Sequence, residues 1–440
     1  MKPKYLLIMA SMACLPLHAQ QEWTLKQCID YAIGHNLTIK QQEANAEQSK
    51  VELNTAKYSR LPDLNGSASQ SFNFGRSLQA DNTYSSINTK STGFSLSTSV
   101  PLFTGMQIPN NIALSKLNLQ AALEDLNAAK ENISIQVASA YLQVLFNDEL
   151  AQVAHEQVDL SKEMLTQKEA FFQNGKASES ELYEAKSRVA QDELSAVQAD
   201  NNYQLSLLDL SQLLELPSPD SFAIALPPTD VIENLGTPLP PSDIYAEALL
   251  IKPTIKAAQY RLEGAQKSIR IAQSAYYPQL SLGAGLSSNY YNVSGRENGN
   301  FGSQLRDNFS QYIGLTLSVP IFNRFATRNR VRSARIQQTT LGWQLEDSKK
   351  SLYKEIQQAY YNTLSAQTQY ASSRTATDAA QASFQLMKEK YLNGKANATE
   401  YNESRTAWMK AVSDQLQAKY NYLFRFKILD FYRGIPLELK

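Results

Sequence analysis

Histidine and cysteine are nearly missing from this 440-residue sequence, with three of the first and two of the second. Cys14 and His18 both fall in residues 1–19, where Lys2 and Lys4 precede an apolar run and Leu17-His18-Ala19 ends in a small residue. That pattern reads as a secretory signal peptide whose removal leaves Gln20 first. A lipid anchor on Cys14 is the alternative, although Ser11 stands where a large aliphatic residue is usual. Beyond it, Cys28 has no partner for a disulfide or a CxxC pair, and His35 and His155 do not make a zinc site of the usual N/S kind. No Ser/His/Asp cluster, nucleotide loop or metal spacing is present, so neither an enzyme nor a cofactor is expected. Charge of one sign is also lacking. The 42 basic and 42 acidic residues cancel, which argues against a nucleic-acid partner. After the signal segment, no stretch approaches the roughly 20 apolar residues of a spanning helix.

What is present is written twice. LSTSVPLF (96–103) returns as LTLSVPIF (315–322), 219 residues later. Ala140-Tyr141 returns as Ala359-Tyr360, and Asn174-Gly175-Lys176 as Asn393-Gly394-Lys395, at the same offset. Earlier landmarks run at 216: Ala32, Ile39, Pro62 and Leu64 pair with Ala248, Ile255, Pro278 and Leu280. The difference places a three-residue insertion between Leu280 and Leu315, as exposed loops allow. The chain therefore divides into 1–19, a first repeat over 20–216, a proline-rich connector over 217–242 and a second repeat over 243–440. The connector keeps Phe222, Ile224 and Leu226, which points to an ordered segment packed on helices.

Each repeat begins with a helical pattern, over 25–60 and 243–276. Alternation follows. Leu64, Ala68, Phe72 and Phe74 interleave with Asn and Ser; Phe94, Leu96, Val100 and Leu102 with Gly and Ser. Leu280, Leu282, Ala284 and Leu286, then Ile313, Leu315, Leu317, Val319 and Ile321, do the same. Four strands are predicted, about 64–76, 92–103, 280–291 and 311–322, with one apolar face and one of small hydroxyls and glycine. About ten residues is the length a tilted strand needs to cross a bilayer, and the hydroxyl face suits a wet lumen. Four strands alone would leave two edges unpaired in hydrocarbon, at several kcal/mol per group. Closure therefore requires further copies, two making eight strands and three making twelve.

Long helical hairpins are predicted over 106–216 and 325–432, with tips at 174–176 and 393–395. Leu119, Leu126, Ile133 and Ala140 form one seven-residue stripe; Leu182, Val189, Ala196, Tyr203 and Leu210 form another, and Ala185, Ala199 and Leu213 fill the intervening seam, which Asp192 and Ser206 interrupt. A second stripe through Leu194, Val197, Leu205 and Leu208 lies on another face, as in a ring of helices.

The order helix, two strands, long helix, Asn-Gly turn and return helix, duplicated, resembles the TolC-type outer-membrane efflux proteins over essentially the whole mature chain. WTLKQCIDYAIGHNLTI at the mature start, SVPLFTG and SVPIFNR at the strand-to-helix junctions, and the two tip turns carry the likeness. It implies a mixed α/β membrane protein: a homotrimer with a 12-stranded barrel in outer-membrane lipid, continuous with a 12-rod helical tunnel in the periplasm. It also implies a passive conduit whose tips, Asn174, Gly175, Lys176, Asn393, Gly394 and Lys395, dock a periplasmic adaptor tied to an inner-membrane transporter. Glu400 and Glu403 match acidic rings at the tunnel entrance, and Tyr391 matches an aromatic gate position; Glu181 and Glu184 form the like-spaced pair on the first return helix and are candidates for the same entrance. The family's basic residue two after the second tip glycine is Ala396 here, leaving Lys176 or Lys395 as substitutes. Residue chemistry alone reads Glu181 and Glu400 first as helix caps, after Ser178 and Asn397. A soluble periplasmic coiled-coil adaptor is the rival reading, and it has no use for four lipid-length strands.

Overall fold

The computed structural model describes residues 22–78, 82–217, 222–226 and 235–439; the signal-peptide assignment lies outside them. The elements, in chain order, are β1 (Glu22–Trp23), α1 (Leu25–His35), α2 (Leu37–Tyr58), β2 (Asn65–Asn73), β3 (Arg76–Leu78), β4 (Tyr84–Ser86), β5 (Thr89–Phe103), α3 (Gln107–Gln173), α4 (Glu179–Leu213) and β6 (Ala223–Ile224). The second half adds α5 (Pro241–Ile251), α6 (Pro253–Ser274), β7 (Gln279–Val293), α7 (Phe301–Asp307), β8 (Ser310–Ser318), α8 (Ala326–Leu392) and α9 (Ala398–Tyr432). Two compact units result. One comprises Glu43–Asp125 and Pro253–Ser348, the other the remaining described residues.

In the first unit β3 and β4 pair separately as a short antiparallel hairpin, and four strands form an antiparallel sheet in the order β2-β5-β7-β8. Its register aligns like with like. Leu96 faces Leu286, Val100 faces Leu282, and Leu315 and Leu317 face Leu282 and Leu280. Alternate positions line up as Ser67 with Ser95 and Ser287 with Ser310, whose hydroxyls bond at 2.8 and 2.7 Å. The sheet thus has an apolar face and a hydroxyl face, as side-chain alternation requires. Large apolar residues such as Ile313, Leu315 and Leu317 are exposed. β8 stops at Ser318 rather than near 322, because Ser318 pairs with Gln279, the first residue of its partner β7. No described helix is long and apolar enough to cross a membrane.

Tight elbows follow β5 and β8. Gly105 and Met106 take φ of 60° and 66°, and their repeat counterparts Arg324 and Phe325 take 53° and 61°. At Gly105 a Cβ would lie 2.6 Å from the Ser274 carbonyl oxygen, so glycine is required there. Arg324 holds the same left-handed conformation with a side chain.

The other unit is built on the hairpins α3–α4 and α8–α9. Its core gathers Leu25, Cys28 and Ala32 of α1, Val137, Tyr141 and Leu145 of α3, Leu207 and Leu210 of α4, and Leu423 of α9. Burial pushes the Cys28 thiol up to about 12, so it stays an inert apolar filler. The Tyr141 hydroxyl donates to the carbonyls of Trp23 (3.2 Å) and Ala225 (2.5 Å), pinning the parallel pair β1–β6. Phe222 and Ile224 of the connector are buried beside it, whereas Leu226 is exposed.

The helical patterns 25–60 and 243–276 are each broken once, at Asn36 and Lys252, which correspond at the 216 offset. Both are buried caps whose N–H bonds the equivalent carbonyls of Ala32 and Ala248. Asn36 Nδ2 then donates to Leu213 O at 3.1 Å, and Lys252 pairs with Glu131 at 3.0 Å. Pro253 explains the second break. The first is made by the Asn36 side chain, which accepts from Thr38 N.

Candidate functional site

The hairpin tips are closed by backbone geometry. At each, the lysine N–H bonds the carbonyl five residues back (Lys176 to Phe171, Lys395 to Lys390, both 2.8 Å) and the glycine N–H bonds the one three back (Gly175 to Phe172, Gly394 to Tyr391, both 3.0 Å). This is the Schellman pattern, with Gly175 and Gly394 at φ of 68° and 69°. The asparagines do not supply the left-handed turn. Their amides instead bond the carbonyls of Ala170 and Glu389 at 2.7 and 2.8 Å. All six tip residues are exposed.

The return helices restart with unequal caps. Asn397 and Glu400 make a complete capping box, with reciprocal bonds of 2.9 and 3.0 Å. Ser178 caps the Glu181 amide at 3.3 Å, but the Glu181 carboxylate turns to Lys168 Nζ at 2.6 Å. Lys168 Nζ also lies 5.1 Å from the centre of the Tyr391 ring. The Lys168 bond holds the Glu181 carboxyl below its usual range. Burial works to lower the Lys168 pKa, but Glu181 and Tyr391 outweigh it and leave the pKa raised. The basic partner at this place is therefore Lys168. Among the described residues neither Lys176 nor Lys395 makes an ion pair.

Glu181, Glu184 and Tyr391 line one small cavity, about 50 Å³, together with Arg188, Tyr401 and Arg405. Glu400 and Glu403 do not reach it. Glu184 and Glu403 are exposed and, among the described residues, form no ion pair. Tyr391 stacks on Tyr401 at 4.9 Å, Tyr401 packs on Phe384 at 5.5 Å, and Phe384 stacks on Trp408 at 5.0 Å. This aromatic ladder joins α8 to α9. Its trace in the sequence is two aromatic pairs seven apart, 384/391 and 401/408, flanking the turn.

Deeper in the same unit, Arg405 of α9 is 1% exposed and donates to Gln157 Oε1 of α3 at 2.8 Å and to Asp192 Oδ2 of α4. Arg188 Nε approaches Asp192 Oδ1 at 3.3 Å without the alignment of a hydrogen bond. Asp192, an interruption when α4 is read alone, is thus the buried anchor of the second hairpin on the first. The stripe Leu194, Val197, Leu205 and Leu208 is exposed on the single chain.

Residues 28–215 and 244–432 both match the model of the family described as outer membrane efflux protein. The chain is 23% identical over 418 residues to the outer membrane protein TolC of Escherichia coli strain K12, spanning 92% of this chain and 80% of that one. It is 24% identical over 382 residues to the cation efflux system protein CusC of Escherichia coli O157:H7, spanning 82% and 76%. Among solved structures, the CmeC outer membrane channel of Campylobacter jejuni superposes with a TM-score of 0.74 at 22% identity, covering 94% and 86% of the two chains. The likeness runs through the sheet, both hairpins and both repeats alike. The chain belongs to the outer membrane efflux protein family and is an outer-membrane efflux channel.

Proposed function

We propose that three copies close their four-stranded sheets into one 12-stranded barrel, above a tunnel built from the helical hairpins, and that this homotrimer is the passive exit duct of a tripartite efflux or type I secretion system. The observation that carries this is the sheet β2-β5-β7-β8, with an apolar face, a hydroxyl face and two open edges. Open edges are intolerable in lipid and demand neighbours. The exposed stripe on α4 supports lateral packing of further helices. An adaptor without a membrane segment would need none of this. The conduit does no chemistry of its own; an inner-membrane transporter supplies the energy, through a periplasmic adaptor seated on the tips 174–176 and 393–395. An unboiled outer-membrane fraction run on a denaturing gel is expected to show a trimer that collapses to monomer on heating. A soluble monomer defeats the reading.

At the entrance, Glu184 and Glu403 face the passage as carboxylate rings, with Glu181, Glu400 and Tyr391 at the constriction. Their support is exposure without a partner for the first two, and rings of carboxylate favour cations over anions. The double variant Glu184→Gln/Glu403→Gln is expected to lose cation preference in single-channel recordings. Unchanged selectivity removes the role.

A further inference from the structure

The two strand-to-helix elbows differ in charge. From 324 to 335 the second carries Arg324, Arg328, Arg330, Arg332 and Arg335, where the first, 219 residues earlier, has Gly105, Pro109, Asn111, Ala113 and Lys116. All five arginines are exposed, and among the described residues none makes an ion pair or side-chain hydrogen bond; Arg328 lies 5.9 Å from the ring centre of Phe325. The arrangement opposes local stability in three ways. Cations in the first turns of α8 face the positive end of the helix dipole, and that turn has no acidic residue. Arg328 and Arg332 are like charges four apart. Arg324 holds a φ of 53° that its counterpart fills with glycine. Among the described residues the chain itself supplies no anion to this cluster, which leaves it open to an external one.

Its neighbours say which. The elbow continues the apolar edge strand β8 through Ile321, Phe322 and Phe325, and Ile321 is 94% exposed. Arg328 and Arg332 lie in the first two turns of α8, directly after these apolar residues. Arginine beside an apolar belt suits a membrane–water boundary, where its stem lies on the apolar surface and its head reaches the headgroups. We infer that this elbow binds the phosphate headgroups of anionic glycerophospholipids in the periplasmic leaflet, one cluster per chain. The inference rests on β8 meeting lipid, so trimer formation and membrane insertion are checked on the same samples.

The test uses the full-length protein, delipidated in detergent and reconstituted in nanodiscs of phosphatidylcholine with phosphatidylglycerol. Retained lipid is then counted by native mass spectrometry. Wild type is expected to enrich phosphatidylglycerol about tenfold over phosphatidylcholine, with the enrichment falling as salt rises. Replacing all five arginines by glutamine should bring the ratio to about one. Arg324→Gly, which relieves backbone strain, guards against misfolding of the multiple variant and should lower the ratio partway. An unchanged ratio in the five-fold variant overturns the inference. So does displacement of the lipid by equimolar glycerol 3-phosphate, which would mark a free-anion site. Loss of the trimer, or of anion conductance, with the lipid ratio intact would assign the cluster to a subunit contact or to the lumen and overturn it equally.

Discussion

The two hairpins have the same frame and different fastenings. α3 and α8 are each 67 residues long, and α4 and α9 are each 35. Within the first, polar contacts link the arms: the ion pairs Lys162–Glu193 at 2.9 Å and Lys168–Glu181 at 2.6 Å, and a His155–Asp200 hydrogen bond at 2.9 Å. The second has Gln381, Val412, Arg374, Lys419 and Met387 at most of these places and is joined instead by the ladder of Phe384, Tyr391, Tyr401 and Trp408. The first repeat has Leu165, Phe172, Leu182 and Val189 there. Backbone length and turn geometry are the inherited part. The chemistry that holds the arms together has diverged, towards exposed charge in one and buried stacking in the other. Surface pairs are weak and salt-sensitive, whereas stacked buried rings are not, so the first tip is the arm that solvent conditions can loosen.

The largest effect should come from the most buried ion pair that, among the described residues, joins the two hairpins, Arg405–Asp192. Arg405→Met leaves Asp192 buried with only the poorly aligned Arg188 facing it and is expected to cost about 3 kcal/mol, read as a lower midpoint in urea unfolding of the hairpin unit. Adding Asp192→Leu should restore most of it, because a packed apolar pair replaces a buried ionic one at little net cost.

Next come the elbows, where one backbone conformation is met by two residues. Gly105→Ala places a methyl against the Ser274 carbonyl at a positive φ and should cost about 2 kcal/mol or more. Arg324→Gly should gain about 1 kcal/mol. Refolding yields of the two variants should therefore move in opposite directions.

The caps separate the tips by less. Asn397→Ala removes a complete box and Ser178→Ala half of one, so losses of about 1 kcal/mol and somewhat less are expected. Hydrogen exchange of the first turns of α9 and α4 measures them.

Smallest is the pH response of the first tip. Glu181 has a lowered pKa in the folded state, so its pairing is fully present above the ordinary value of 4.5 and is lost as pH falls through the lowered one. Lys168 has a raised pKa, so its contribution is present below 10.5 and is lost as pH rises through the raised value. Protease cutting at 174–176 should thus increase below about pH 4.5, while cutting at 393–395 stays flat. Glu181→Gln should abolish the difference.

Alternation and repetition made the sheet and the hairpins legible in the sequence, because both signals are periodic and local. The family likeness followed from their order. Asn36 was not legible as a break, since it depends on Leu213 O, 177 residues away. Lys168 carries no local sequence signal; only the fold sets it between Glu181 and the Tyr391 ring. Asp192 read as a flaw in an apolar seam because its partner lies in the other repeat. What escaped the sequence is contact between different helices, within a repeat and between repeats, which no single-helix pattern encodes.

Asp192 and Arg405 are 213 residues apart, and that distance orders events during export. The first hairpin carries a carboxylate on the seam it must close, and among the described residues of its own repeat only the imperfectly aligned Arg188 faces it. The arms can zip from the tip, but the seam stays wet at Asp192 until the last tenth of the chain arrives. A slip of α9 by one turn would bury both charges unpaired, so the pair also acts as a register mark. The half-made protein is thereby kept from sealing on itself before its second repeat is there to complete it.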